Sequence, residues 1–172
     1  ARRVFSAFRR RFNDVPNTVQ WCFSSSARRN KVQLQDYNGQ HNNERCFIMG
    51  NGPSLAKTDL TPLKDEITFG LNRIYLLFNE LPFTPTYYVS VNELVLEQFS
   101  SEIRELPMTK FINWNSRKYF GGLDSKMNFI RLKLALNDGF NKQIDAGFYS
   151  GGTVTYVAMQ LAYIMGFAEV VL

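Results

Sequence analysis

Two cysteines and a single histidine in 172 residues leave little material for a metal centre. Cys22 and Cys46 have no metal-ligand spacing, which excludes a cysteine-built site of the usual kinds. Cys46 sits inside an apolar run and reads as a small core residue, a common place for free cysteine. A reducing cytoplasm suits both thiols. Long apolar runs are missing too: no window approaches the roughly 18 uninterrupted apolar residues of a membrane span, and no signal-peptide pattern opens the chain. No internal repeat is visible. What is plentiful is aromatic, with 15 Phe and 8 Tyr, so the core and any pocket walls are expected to be ring-rich. The length suits one domain, with or without an appendage, and is enough to bury a substantial core.

Charge is unevenly spread. Residues 1–45 carry nine Lys or Arg against three Asp or Glu, a surplus of six; the remainder carries eleven against twelve. The basicity therefore belongs to the N-terminal segment. In "ARRVFSAFRRRF", Val4, Phe5, Phe8 and Phe12 fall at helical spacing among five arginines. A basic amphipathic helix of this kind suits an anionic membrane surface or nucleic acid. An ordinary helix docking its Phe stripe on the domain has the same pattern. No basic–aromatic pattern recurs downstream, so nucleic acid is not expected as a partner, and a membrane-surface contact through residues 1–12 is. The polar stretch 24–45 reads as a linker, and His41 within it as a solvated surface histidine. The expected organisation is thus a basic helical extension with a polar linker over 1–44, and a domain over 45–172.

From Arg45 onward, short apolar runs alternate with longer amphipathic ones. Strands are expected at Cys46–Met49, Ile67–Leu71, Thr86–Val91, Lys110–Trp114 and Glu169–Leu172. Helices are expected at Arg73–Phe78, Glu93–Glu105 and Gly152–Met165. That alternation predicts an α/β domain, Rossmann-like, with a largely parallel sheet flanked by helices. Ligands in such sheets bind beyond the carboxyl ends of the strands. The first strand delivers Gly50-Asn51-Gly52-Pro53-Ser54 there. The second delivers Asn72 and Arg73, the third Ser90 and Asn92, and the fourth Asn113 and Asn115. Late in the chain "FYSGGT" brings Ser150, Gly151, Gly152 and Thr153 to the start of a helix. One asparagine at a strand end is explained as a turn or an N-cap. Several on one edge suggest a binding surface, because Asn offers an acceptor and two donors without charge, which suits a nucleobase, a ribose or sugar hydroxyls.

The glycine loop is not a Walker loop, since no Gly-Lys-Ser/Thr comes after it. It is not the full dinucleotide fingerprint either, since "GNGPSL" has Leu55 where the third glycine belongs. Gly50 and Gly52 are expected to admit close approach of a ligand and to turn N–H groups inward as an anion nest, with Ser54 capping the next segment.

"GNGPSL", then "LNRIYL", "VNELVLEQ" and "YSGGTVTYVAMQLAYIMGFAEVVL" together resemble the core of bacterial family 42 sialyltransferases. They are also similar to the related family that includes archaeal 6-hydroxymethylpterin diphosphokinases. The likeness spans roughly Arg45 to Leu172. It implies a Rossmann-like single domain with no metal required, in which Asn51, Asn72, Asn92, Ser150 and Gly151 contact the CMP part of a CMP-sugar. In that family the donor-phosphate tyrosines and the histidine base come after the strand that here reads "EVVL", so the resemblance carries over no catalytic base. The domain is accordingly expected to be truncated at its C-terminus.

A diphosphokinase transfers pyrophosphate from ATP and wants Mg²⁺ held by carboxylates; the matching strand ends here carry Asn72 and Asn92. The expected function is a nucleotide-sugar-binding domain of a glycosyltransferase, with a CMP-linked donor as substrate and no further cofactor, acting on a cell-surface glycan. The expected site comprises Gly50, Asn51, Gly52, Ser54, Asn72, Asn92, Ser150, Gly151 and Gly152. A cytoplasmic place at the inner face of the membrane goes with it, and a homo-oligomer is compatible. The Mg²⁺-dependent pterin diphosphokinase and a non-catalytic nucleotide-binding protein are the alternatives.

Overall fold

The computed structural model describes residues 14–78, 81, 83–121, 125–133 and 139–172. The expected helix over residues 1–12, with its Phe stripe and its membrane contact, lies outside them. Six strands form one sheet: β1 (Arg45–Met49), β2 (Ile67–Leu71), β3 (Tyr87–Ser90), β4 (Thr109–Asn113), β5 (Met127–Ile130) and β6 (Glu169–Val171). Their spatial order is β5-β4-β3-β2-β1-β6, and every pairing is parallel. Among the described residues five helices flank the sheet: α1 over residues 14–23, α2 (Ser25–Gln35), α3 (Glu93–Gln98), α4 (Ser100–Glu105) and α5 (Val154–Ile164). This is a Rossmann-like α/β arrangement. Among the described residues, no helix is long and apolar enough to cross a membrane.

The strands are short because each is a buried apolar run cut off by turn residues, the usual signature of a parallel sheet covered on both faces. All four residues of β3 and of β5 are buried. Aromatic rings fill one layer: Phe69, Tyr87 and Phe111 pack in sequence across neighbouring strands, and Tyr37 stands edge-on to Phe111. Helix α5 is N-capped by Thr153, whose hydroxyl accepts from the Tyr156 N–H, and packs against β1, β2 and β3.

Three expectations are corrected. First, residues 24–45 are not a linker. Ser24 caps α2 by accepting from the Ala27 N–H at 3.1 Å, and the helix buries Ala27, Asn30 and Leu34 on the domain. Asn30 is fully buried; its amide donates to the Phe129 carbonyl at 2.7 Å and accepts from the Phe129 N–H at 2.8 Å. One side chain thus pairs both backbone groups on the open edge of β5, where an exposed edge would otherwise template aggregation. Second, His41 is not solvated. Its side chain is 12% exposed, its ring stacks on Phe167 at 4.6 Å, Nδ1 lies 2.6 Å from Glu44 and Nε2 lies 2.6 Å from the Tyr87 hydroxyl. Burial, with Tyr37 and Glu44 adding, pushes the Tyr87 phenol up to about 12, so it stays protonated and can donate to Nε2. Third, the helix expected over Glu93–Glu105 is two helices broken at Phe99 (φ −120°, ψ 23°), and that over Arg73–Phe78 is a single 3₁₀ turn, Ile74–Leu77.

Helix α1 is fastened to the far end of the sheet. Arg131 reaches Asp14 at 2.5 Å and the Thr18 hydroxyl at 2.6 Å, Asn115 donates to Asp14 at 2.8 Å, and Trp21 stands edge-on to Trp114 at 5.1 Å.

Replacing Asn30 by Ala should cost about 2–4 kcal/mol, because two buried backbone groups of Phe129 lose their partners at once. Urea unfolding of the two proteins measures it. A loss below about 0.5 kcal/mol, the range of ordinary surface substitutions, would show that the edge of β5 does not depend on this side chain.

Candidate functional site

Parallel strands all end on one side, and there the structure has a cleft of about 470 Å³. It is lined by Gly50 and Asn51 after β1, Leu71 and Asn72 at β2, Val91 and Asn92 after β3, Leu132 after β5, and Ser150 with Gly152–Thr155 at the start of α5. Six of the nine expected residues therefore meet in one place. Gly52 lines an adjoining lobe, and Gly151 joins two lining residues without lining the cleft. Ser54 stands apart: it precedes the 3₁₀ turn Leu55–Lys57, its hydroxyl caps nothing, and its carbonyl accepts from the Lys57 N–H and the Thr58 hydroxyl, both at 3.0 Å.

The strand-end asparagines divide into two groups. Asn113 caps the 3₁₀ turn Trp114–Tyr119 and donates to the Val91 carbonyl, and Asn115 belongs to the Asp14 network. Both serve the fold. The three in the cleft are held by backbone geometry and keep amide capacity to spare. Asn72 adopts a left-handed conformation (φ +50°), which Asn tolerates better than most residues. Its Oδ1 accepts from the Ser90 hydroxyl at 3.4 Å, which leaves its two N–H groups. Asn92 is the N-cap of α3, accepting from the Leu94 N–H at 3.0 Å, again with its NH₂ over. Asn51 is exposed on the loop between its two glycines.

Neither Gly50 nor Gly52 is left-handed, so the loop is not the αR–αL nest expected from its sequence. The protein's own packing does not call for glycine here either. A Cβ at Gly50 would meet nothing within 4 Å, and one at Gly52 would meet only the Ser54 hydroxyl at 3.8 Å. The space left open at Gly50 borders the cleft. The Ser-Gly-Gly turn is different: Gly151 (φ +51°) and Gly152 (φ +79°) are both left-handed, and a Cβ at Gly151 would stand 2.3 Å from the Tyr156 ring. This turn is fixed from behind by buried Gln160 of α5. Its Oε1 accepts from the N–H groups of Asn141 and Tyr149, and its Nε2 donates to the Tyr149 carbonyl at 2.7 Å, one residue before Ser150.

No protein-family model matches the chain, and no curated protein is significantly similar to it.

The lining is chemically uniform. Among the described lining residues there is no Asp, Glu, His, Lys or Arg; the polar groups are amides, hydroxyls and backbone N–H. Such a surface can hydrogen-bond an uncharged ring or polyol and can offer first-turn amides of α5 to an anion. It offers no group for proton transfer near neutral pH. His41 is at the opposite edge of the sheet, against the first residue of β3. Leu132 lies outside the expected site, because only the three-dimensional course after β5 brings it alongside Phe148 and into the cleft.

Gly50→Ala should leave the melting temperature within about 2 °C of the parent, whereas Gly151→Ala should lower it by several degrees through backbone strain and the Tyr156 clash. Thermal unfolding of both variants checks this. Equal destabilisation would mean that Gly50 is there for the fold and not for a ligand.

Proposed function

We propose that the cleft binds a nucleotide sugar with a CMP-type donor group, and that the chain is the donor-binding domain of a glycosyltransferase. One observation carries the reading. Asn51, Asn72, Asn92 and Ser150 come from four separate parts of the sequence, and they line one cleft at the carboxyl edge of the sheet. These are the residues that the resemblance to family 42 sialyltransferases matches to nucleotide contacts. An amide-rich, carboxylate-free lining suits a ligand with one phosphate as leaving group better than a pyrophosphoryl donor clamped by Mg²⁺, which wants carboxylate ligands.

In the transfer itself, an acceptor hydroxyl attacks the anomeric carbon as the bond to the phosphate oxygen breaks, and the nucleotide leaves with the electron pair. The acceptor's proton must go to a base. The lining supplies none, so the part of the reaction assigned to these residues is to bind and orient the donor. That same lack favours, as a second reading, a nucleotide-binding protein without catalysis. The further parts of the proposal, a cell-surface glycan as acceptor and action at the cytoplasmic face of a membrane, rest on the resemblance and on the arginines of residues 1–12.

Thermal unfolding with CMP or CDP, without Mg²⁺, tests the reading. At a hundred times the dissociation constant, a ligand that binds only the folded state adds about 2.7 kcal/mol, a rise of roughly 5–10 °C for a domain of this size. Stabilisation by ATP alone, and only with Mg²⁺, would support the diphosphokinase instead. No response to any nucleotide would end both.

A further inference from the structure

The cleft does not stop at Asn51. On the other side of that residue a second lobe, of about 260 Å³, is lined by Asn51, Gly52, Pro53, Arg73, Leu76 and Leu77. Among the described residues that line it, Arg73 is the one that carries a charge. The guanidinium lies over the Phe99 ring, 4.1 Å from its centroid, which strips water from one face. Its Nε is buried without a hydrogen-bond partner, and among the described residues Arg73 forms no ion pair. Burial pushes the Tyr75 phenol above its ordinary range, with neighbouring Arg73 pulling it down and Glu102 pushing it up; neither its hydroxyl nor that of Tyr88, whose ring is 6.4 Å away, makes a hydrogen bond.

Buried donors left unpaired are unusual, and each costs free energy until a partner arrives. An arginine is the more telling case. Its planar fork matches a two-oxygen anion, and aromatic stacking holds the plane in place before the anion binds. Among the described residues the larger cleft has no cation in its lining, so an anionic ligand lying there would meet Arg73 across Asn51 as its nearest described counter-charge. A Cβ at Gly52, which lines the smaller lobe, would meet nothing closer than the Ser54 hydroxyl at 3.8 Å.

We propose that this lobe receives an oxyanion, phosphate or carboxylate, carried by the ligand whose neutral part lies against Asn51, Asn72 and Asn92, and that Arg73 is its counter-charge. The proposal rests on the nucleotide reading only for the identity of that ligand; the oxyanion site stands on its own geometry. Phe99 acts as a positioning residue for the guanidinium, and Leu76 and Leu77 supply an apolar wall beside it.

The test uses inorganic phosphate, CMP and cytidine as probes, with the Arg73 Nε–H and Gly52 N–H signals followed by ¹⁵N NMR in the full chain. Millimolar phosphate should move both signals, and chloride at equal ionic strength should move neither. CMP should bind about 10- to 100-fold more tightly than cytidine, the size expected for hydrogen bonds to a charged group. In Arg73→Gln that ratio should fall towards one while cytidine affinity stays the same; Arg73→Lys should retain part of it. Should Arg73→Gln fail to fold, the phosphate titration of the parent protein decides alone. Phosphate binding at Arg73 with no response to CMP or cytidine would uphold the oxyanion site and end the nucleotide reading. CMP and cytidine binding equally well, with phosphate leaving Arg73 unmoved, would overturn the oxyanion site and spare the nucleotide reading.

Discussion

Every strand of this sheet runs in the same direction, and the rest of the molecule depends on that constraint. Parallel neighbours cannot be joined by tight hairpins, so each strand must be followed by a segment that crosses back over a face of the sheet. All the turns out of the strands therefore gather on one edge, and all the turns into them on the other. The cleft sits at the first edge, where β1, β2 and β3 release Gly50, Asn72 and Asn92 side by side. The aromatic and His41 cluster sits at the second, where burial and paired hydrogen bonds hold the chain before it enters β1. One edge is satisfied from within. The other keeps amide groups, open glycine backbone and a guanidinium whose Nε is unpaired.

The division of labour among asparagines shows how the fold builds such a surface. Asn30 uses its oxygen and an N–H to close the edge of β5, Asn113 spends its amide on a turn, and Asn115 commits its NH₂ to the anchorage of α1. Asn72 and Asn92 each commit one oxygen, to Ser90 and to a helix cap, and keep the donors. The residue type is the same, and the surroundings decide whether its hydrogen bonds are spent on structure or left for a ligand.

Much of this was legible in the sequence, for a physical reason. Buried parallel strands are short apolar runs ended by Gly, Asn or Ser, so β1 to β4 and their terminal residues could be placed within a residue or so. The same features put six of nine expected site residues in one cleft. What escaped notice depended on contacts that no local pattern carries. Helix α2 buries only Ala27, Asn30 and Leu34, and with an asparagine as its central anchor it has almost no apolar stripe to read. Strand β5 holds the polar Asn128 among four residues, so its run is too broken to stand out. His41 looked solvated because its neighbours in sequence are polar, whereas its neighbours in space are Phe167 and Tyr87. Arg73 was visible beside Asn72, but nothing local shows that it stacks on Phe99 with its Nε unpaired.

The central claim is that the fold separates spare amides from committed ones and aims the spare ones at one ligand. The most direct measurement is a CMP titration followed on the side-chain NH₂ signals of the asparagines. Asn51, Asn72 and Asn92 should shift together along one saturable curve while Asn113 and Asn115 stay in place. Shifts spread equally over all five, or absent from the first three at saturation, would contradict the account.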